Sequence, residues 1–146
     1  MPFQIRAAVP DDVPAIFEVR TSVRENLLTR DDMQAMGITE DAVSAMIQDA
    51  PCAWVATEGS ETVGFSMIIP DESCLFAAFI LPRHENKGLG RQLVQVAEAA
   101  LFADHAVAWL ETGRNTRAAG FYRHLGWGHE QDLGNGDIRL EKWRVG

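Results

Sequence analysis

The first third of the chain passes from an extended to a helical spacing of apolar residues. Residues 3–8 predict a first strand, and a helical period follows with Asp11 or Asp12 placed as its N-cap. The apolar face of that helix is predicted to be Ile16, Val19 and Val23. A second, short helix is predicted to end near Gly37, and Thr39 can cap a third. The core-facing residues of this third helix are predicted to be Val43, Met46 and Ile47.

Beyond residue 50 the apolar spacing becomes extended, with turn residues between the runs. The predicted strands are 52–59, 61–70, 74–81 and 106–112. A helix beginning near Gly88 separates the last two strands, and its predicted buried stripe is Leu89, Leu93, Val96, Ala97 and Ala100. A helix over 115–126 and a hairpin of 127–133 with 137–145 follow, because Asn135-Gly136 is a strong two-residue turn signal.

This order of elements predicts one α/β (α+β) domain over residues 1–146 with a mixed, mostly antiparallel sheet. The three strands joined by tight turns should run antiparallel. Strands 74–81 and 106–112 should run parallel, because a helical crossover joins them.

Charge and composition narrow the function classes. The formal net charge is −8 at pH 7, and no cluster of Lys and Arg is present to neutralise phosphates, which argues against a nucleic-acid partner. No apolar run is long enough to span a membrane, and no signal-peptide core begins the chain. Cys52 and Cys74 lie in apolar runs without metal-ligand spacing, which predicts buried free thiols and a cytoplasmic protein.

The stretch HENKGLGRQLV, residues 84–94, joins a buried strand to a helix. Bare N–H groups at a helix N-terminus attract anions, and Gly88 and Gly90 leave room for a ligand beside the backbone. A plain tight turn remains an alternative. A Walker phosphate loop does not fit, since Lys87 precedes Gly88, and a dinucleotide fingerprint is incomplete, since only Gly-x-Gly is present.

This stretch, with Ile80-Leu81-Pro82 before it, resembles the acetyl-coenzyme A (acetyl-CoA) loop of the GNAT N-acetyltransferases. The resemblance implies the GNAT acyltransferase fold, in which the parallel central strands splay apart to bind CoA. It assigns CoA contacts to the strand end and the loop: Phe79, Ile80, Leu81, Glu85, Asn86, Lys87, Gly88, Leu89, Gly90 and Arg91. Glu85 departs from the family's Gln or Arg, and a carboxylate near a diphosphate is repulsive; Lys87 and Arg91 are expected to offset it.

A second stretch, NTRAAGFYRHLGW (residues 115–127), resembles the family's other motif, Asn-x-x-Ala-x-x-Phe-Tyr-x-x-x-Gly-Phe/Trp. The resemblance makes Tyr122 the general acid that protonates the leaving thiolate, which suits a phenol that is neutral at pH 7. It adds Asn115, Ala118 and Phe121 to the cofactor site. The simpler interpretation of Asn115 is an N-cap for the following helix.

The general base and the acceptor are less well defined. Strand 74–81 has no acidic residue, and Glu111, His84, His124 and His129 are candidates with no reason to prefer one. The resemblance places the acceptor near the first helices and the last hairpin, which gives substrate-contact candidates Arg24, Glu25, Asn26 and Trp127.

The function implied is transfer of an acetyl group from acetyl-CoA to an amine of a small molecule, peptide or protein, by direct attack in a ternary complex and without a metal. The alternative is a non-catalytic acyl-CoA-binding module on the same fold, and a plain interaction domain ranks a distant third. We expect neither nucleic acid nor a membrane as partner, and a homodimer is compatible with the sequence.

Overall fold

A seven-stranded sheet runs through the centre of the protein in the order β1-β2-β3-β4-β5-β7-β6. The computed structural model describes residues 3–23, 28–85 and 87–145 of the 146. The strands are β1 Phe3–Ala7, β2 Ala53–Glu58, β3 Glu61–Ile69, β4 Cys74–Ile80, β5 Val107–Gly113, β6 Gly128–Asp132 and β7 Asp137–Trp143. The antiparallel β2–β3–β4 meander and the parallel β4–β5 pair confirm the predicted sheet.

The helices are α1 Val13–Arg20, α2 Arg30–Ala35, α3 Glu40–Asp49, α4 Leu89–Asp104 and α5 Arg117–His124. Threonine side chains cap three of them by accepting a backbone N–H from the first turn: Thr29, Thr39 and Thr116. The apolar faces of α1 and α4 are buried against the sheet, and that of α3 packs against α1, as the helical periodicity predicts.

The predicted cap of α1 differs from the structure. Asp12 stands at the N-cap position of α1 but makes no side-chain cap bond to it. Its carboxylate instead accepts the N–H of Val9 at 2.8 Å and both guanidinium arms of Arg6 at 2.8 and 2.9 Å. Asp12 therefore ties the first strand to the start of α1.

Strands β4 and β5 meet at one end and separate towards the other. Among described residues their backbone pairing is limited to Cys74 opposite Trp109, supported by a bond from Trp109 N to Ser73 O at 3.1 Å. Strand β5 continues to pair with β7 over its whole length. The register between β3 and β4 also slips at Phe76, and such a bulge bends the strand. The result is a gap in the middle of the sheet.

Helix α4 approaches the sheet closely at Gly64 of β3. A Cβ atom there would overlap Cδ1 of Ile80 and lie 3.2 Å from Cδ1 of Leu93 on α4. The buried Ser66 hydroxyl also donates to Leu93 O at 2.9 Å. This contact fixes the start of α4 beside the end of β4.

Candidate active site

Two connected cavities occupy the gap between β4 and β5. The first has a volume of about 350 Å³ and lies towards α1, α2 and β5. The second has a volume of about 500 Å³ and lies towards the start of α4 and α5. Ala78, Phe79 and Ala118 line both, so the cavities meet where β4 faces α5. A ligand can therefore extend from one cavity into the other.

The second cavity presents backbone donors at the start of α4. Gly88 adopts φ +79°, a left-handed conformation that suits glycine, and α4 begins at the next residue. The first N–H groups of a helix have no partner inside it, so those of Leu89, Gly90 and Arg91 are available to an anion. A Cβ at Gly90 would lie 3.4 Å from Cζ of Phe121, so α4 and α5 pass close together here.

The edge of β4 supplies further backbone groups. The N–H of Leu81 donates to Val63 O of β3 at 2.8 Å. Since successive residues of a strand point their N–H groups to opposite edges, the N–H of Ile80 faces the gap. Phe79 and Ile80 line the second cavity, whereas Leu81 is buried outside both linings. The free edge is therefore provided by Ile80 and not by Leu81.

The charged residues of the loop are arranged differently from the sequence-based expectation. Glu85 forms an ion pair with Arg117 of α5, and both side chains line the second cavity. Arg91 lines that cavity as well. Lys87 is not a lining residue; its Nζ lies 3.4 Å from Nδ1 of the buried His84 and 5.3 Å from the centre of the Phe3 ring. Arg117 therefore supplies the positive charge beside Glu85 that was expected from Lys87. The place of Arg117 in the second motif was the sequence feature that could have indicated this.

The second motif places its aromatic residues along the cavities. Phe121 lines the second cavity and Tyr122 lines the first. Asn115 is exposed and precedes the helix, while Thr116 is the N-cap, so the simple capping role belongs to the threonine. Asn115 lies outside both linings.

Tyr122 is 7% exposed, and its ring packs edge-on against Trp127 with centroids 6.2 Å apart. Within the described residues its hydroxyl has no hydrogen-bond partner, which leaves it available to a ligand. Burial raises the pKa of the phenol above its ordinary value of about 10. The group therefore stays protonated at neutral pH and can donate a proton.

Three charged side chains line the first cavity: Arg20 of α1, Glu111 of β5 and Asp137 of β7. Arg20 and Asp137 were missed, because nothing in their sequence surroundings marks them as functional. Of the base candidates, Glu111 lines this cavity and His84 lines the second, whereas His124 and His129 are exposed outside both linings.

The proposed acceptor contacts are only partly visible. Arg24, Glu25 and Asn26 lie outside the described residues, as does Asn86 of the loop. Trp127 is 2% exposed, and its indole N–H donates to Glu98 Oε2 at 3.0 Å. It is outside both linings and packs behind Tyr122, so its position does not favour contact with an acceptor.

Comparison with known proteins identifies the family of the chain. The sequence model of the acetyltransferase (GNAT) family matches residues 14–127. The chain belongs to the GNAT acetyltransferase family. The predicted resemblance to this family is thereby confirmed. A search of curated protein sequences gives no match.

Solved structures of this GNAT fold resemble the chain along its whole length. The PaiA N-acetyltransferase of Thermoplasma acidophilum, in complex with coenzyme A, has a TM-score of 0.80 at 19% identity, covering 99% of this chain and 100% of that one. YncA of Salmonella typhimurium, a putative acetyltransferase with its cofactor acetyl-CoA, has a TM-score of 0.74 at 17% identity, covering 100% of this chain and 96% of that one. The ribosomal-protein-S18-alanine N-acetyltransferase of Escherichia coli has a TM-score of 0.71 at 18% identity, covering 99% of this chain and 97% of that one.

These likenesses confirm the predicted GNAT fold.

In the described part of the chain, no helix combines the length and apolar character that crossing a membrane requires.

Proposed function

We propose that this GNAT protein transfers an acetyl group from acetyl-CoA to an amine acceptor, by direct attack with both substrates bound. One observation carries the proposal: the two cavities meet at Phe79 and Ala118, and Tyr122 lines the cavity next to that junction. One cavity suits the cofactor and the other the acceptor.

A cytoplasmic setting is also proposed, since Cys52 and Cys74 are buried free thiols.

The second cavity fits coenzyme A. The amides at the start of α4 suit a pyrophosphate, and each charge-assisted hydrogen bond contributes about 1.5–3 kcal/mol. The free edge of β4 at Ile80 suits the amide-containing pantetheine arm, which can pair with it as a strand does. Arg91 and Arg117 add positive charge to the same cavity. Pantetheine then leads along β4 towards the junction.

Acetyl-CoA would supply the acetyl group as a thioester, and the protein's residues would hold the acceptor and move protons. The amine nitrogen bonds to the acetyl carbon, the carbon–sulfur bond breaks, and the leaving sulfur takes the proton of the Tyr122 hydroxyl. The phenol is then reprotonated from the amine or from solvent. The backbone N–H of Ile80 is placed to polarise the carbonyl oxygen.

The acceptor must lose a proton before it attacks. For an alkylammonium of pKa about 10.4 at pH 7 this costs about 4.6 kcal/mol. Glu111 and Asp137 line the first cavity, where negative charge attracts the ammonium form and water can carry its proton away. Neither carboxylate is assigned as the base.

The test combines cofactor binding with turnover. Purified protein is titrated with coenzyme A by calorimetry, then mixed with acetyl-CoA and a panel of amines while free thiol is followed. We expect binding, amine-dependent thiol release, and a fall in kcat of about 10²–10⁴-fold for Tyr122→Phe, because a general acid contributes that much. Trp143→Phe, at an exposed ring outside both cavities, is the control. Binding without turnover would favour the non-catalytic module.

A further inference from the structure

Arg20 is the one side chain among the described residues with a buried polar atom that lacks a partner. Its Nη1 is buried and has no hydrogen bond, and Arg20 as a residue lines the first cavity. The guanidinium carbon lies 4.2 Å from the centre of the Phe79 ring, so the planar group is held over an aromatic face. Burial lowers the pKa of Arg20, yet arginine stays charged at neutral pH.

Most other arginines in the described part of the chain lie beside acidic side chains, and the two that do not, Arg91 and Arg144, are exposed to solvent. Carboxylate partners within 4.0 Å are present for Arg6, Arg30, Arg83, Arg114, Arg117, Arg123 and Arg139. A half-buried cation with a buried, unpartnered nitrogen is unfavourable, because the hydration lost at that atom is not replaced. Such a local conflict is expected where a ligand completes the arrangement.

The surroundings of Arg20 indicate what that ligand carries. Met36 and Phe76 line the same cavity and remain 63% and 44% exposed, so part of the cavity wall is an exposed apolar surface. Glu111 and Asp137 belong to other strands of the lining. The cavity thus offers one cationic group, two anionic groups and an apolar surface.

We propose that the acceptor is a small amino carboxylate with an apolar side chain, whose carboxylate binds the guanidinium of Arg20. This inference rests on the proposed acetyl transfer. Its amine attacks at the junction beside Tyr122, and its apolar group packs on the side of Met36 and Phe76. The planar guanidinium suits a carboxylate, since the two groups form paired hydrogen bonds. An amine without a carboxylate leaves the guanidinium of Arg20 without a partner and therefore binds less tightly.

The test compares acceptors that differ in the carboxylate alone. Leucine and phenylalanine are compared with leucinamide and phenylalaninamide, with kcat/KM corrected for the fraction of free amine. Wild type is expected to prefer the carboxylates. Arg20→Gln is expected to lower kcat/KM for the carboxylates by about 10–100-fold and for the amides by less than about 3-fold. Arg20→Lys should lie between, because it keeps the charge and loses the paired geometry.

Arg30→Gln is the matched control. Arg30 also lies over a phenylalanine ring, with its guanidinium carbon 5.4 Å from the centre of Phe17, but it is exposed and paired with Glu40 at 2.8 Å. It should leave both acceptor classes unchanged. An equal loss for carboxylates and amides in Arg20→Gln would overturn the inference and indicate that Arg20 only positions Phe79.

A second readout needs no turnover. 4-Methylpentanoate, which is leucine without its amine, is added to the protein saturated with coenzyme A. We expect the Tm of wild type and of Arg30→Gln to rise by a few degrees, and that of Arg20→Gln to stay constant. If the protein acetylates amines but shows neither the Tm shift nor the preference for carboxylates, the carboxylate site is refuted and the proposed function stands. A shift dependent on Arg20 without any acetylation refutes the proposed function and retains the anion site.

Discussion

Arg117 of α5 forms an ion pair with Glu85, which precedes α4, so the two sequence motifs are joined by a charge pair beside the second cavity. The unusual carboxylate of the loop is therefore matched by a cation from the other motif. Both side chains remain partly exposed, at 27% for Glu85 and 63% for Arg117, which limits the strength of the pair.

Removing the Glu85 carboxylate should strengthen coenzyme A binding. In Glu85→Gln, repulsion towards the pyrophosphate is lost and the positive charge of Arg117 is no longer offset by the Glu85 carboxylate. We expect the Kd to fall by about 3–10-fold, equivalent to about 1 kcal/mol, and Arg117→Gln to raise it. Calorimetry at low and high salt measures this, and the difference should shrink with salt.

Glu130→Gln is the control for this comparison, because Glu130 pairs with Arg123 of α5 at 2.8 Å outside the cavity. Its Kd should equal that of wild type. Unchanged or weaker binding by Glu85→Gln would show that the pair orders the loop instead of opposing the ligand.

Tyr122 should resist ionisation in the folded protein. It is the single tyrosine of the chain, so the absorbance of tyrosinate reports on it alone. Because burial raises its pKa, little tyrosinate should form below about pH 10 in the native state, whereas unfolded protein should titrate near 10.

The linked effect on stability has a definite sign. A raised folded-state pKa leaves the free energy of unfolding unaffected by Tyr122 below about pH 10 and lowers it above that pH. Tyr122→Phe should remove this alkaline loss. Native titration near pH 10 would instead mean that the ring is open to solvent.

Asp12 should make stability sensitive to acid. Its pKa is lowered mainly by the hydrogen bonds from Arg6, against an opposing effect of burial. A lowered pKa contributes stability above about pH 4, and that contribution is lost as the pH falls through the folded-state pKa. We expect Asp12→Asn to cost about 1–2 kcal/mol at pH 7, discounted because Arg6 is 39% exposed, and less at pH 3.

Urea unfolding at the two pH values measures that difference. Asp11→Asn, at the exposed neighbouring position, is the control and should change little. An equal cost of Asp12→Asn at both pH values would indicate lost packing in place of a lost charge.

Glu98 and Lys142 connect α4 to β7 beneath Trp127. Lys142 Nζ lies 2.9 Å from Glu98 Oε1 and 2.8 Å from Leu125 O, while Glu98 Oε2 accepts from Trp127. Lys142→Met should destabilise the protein by about 3 kcal/mol, because it leaves a largely buried carboxylate without its cation.

The double variant Glu98→Leu with Lys142→Met should recover much of that loss, since both charges are then absent. Denaturant unfolding of wild type, Glu98→Leu, Lys142→Met and the double variant gives the coupling energy between the two side chains. Additive effects would show that the pair does not interact appreciably. Coenzyme A affinity should be retained in each, because neither residue lines the second cavity.

How far the site could be predicted differs between backbone and side chains. The turn at Gly88 was predictable, because a positive φ and a helix start depend on a few neighbouring residues. The pairing of Glu85 with Arg117 was not, because 32 positions separate them and only the packing of α5 beside the loop brings them together. The same reason explains Lys87, which packs towards His84 and Phe3.

Gly64 gives a further example. In the sequence it is one glycine within a strand, whereas the fold places Ile80 and Leu93 against it. Trp127, expected near the acceptor, is turned into the core by its bond to Glu98.

The sequence by itself determined the order of helices and strands, the antiparallel meander, the parallel crossover and the glycine turn at the start of α4. These follow from apolar periodicity and turn chemistry, which act over short stretches of chain. The tertiary structure alone decided which charges are paired, that Arg20 is left without a partner, and that Tyr122 is buried beside a cavity. Those properties depend on residues far apart in the chain, whose separation is fixed only when the sheet and its helices pack.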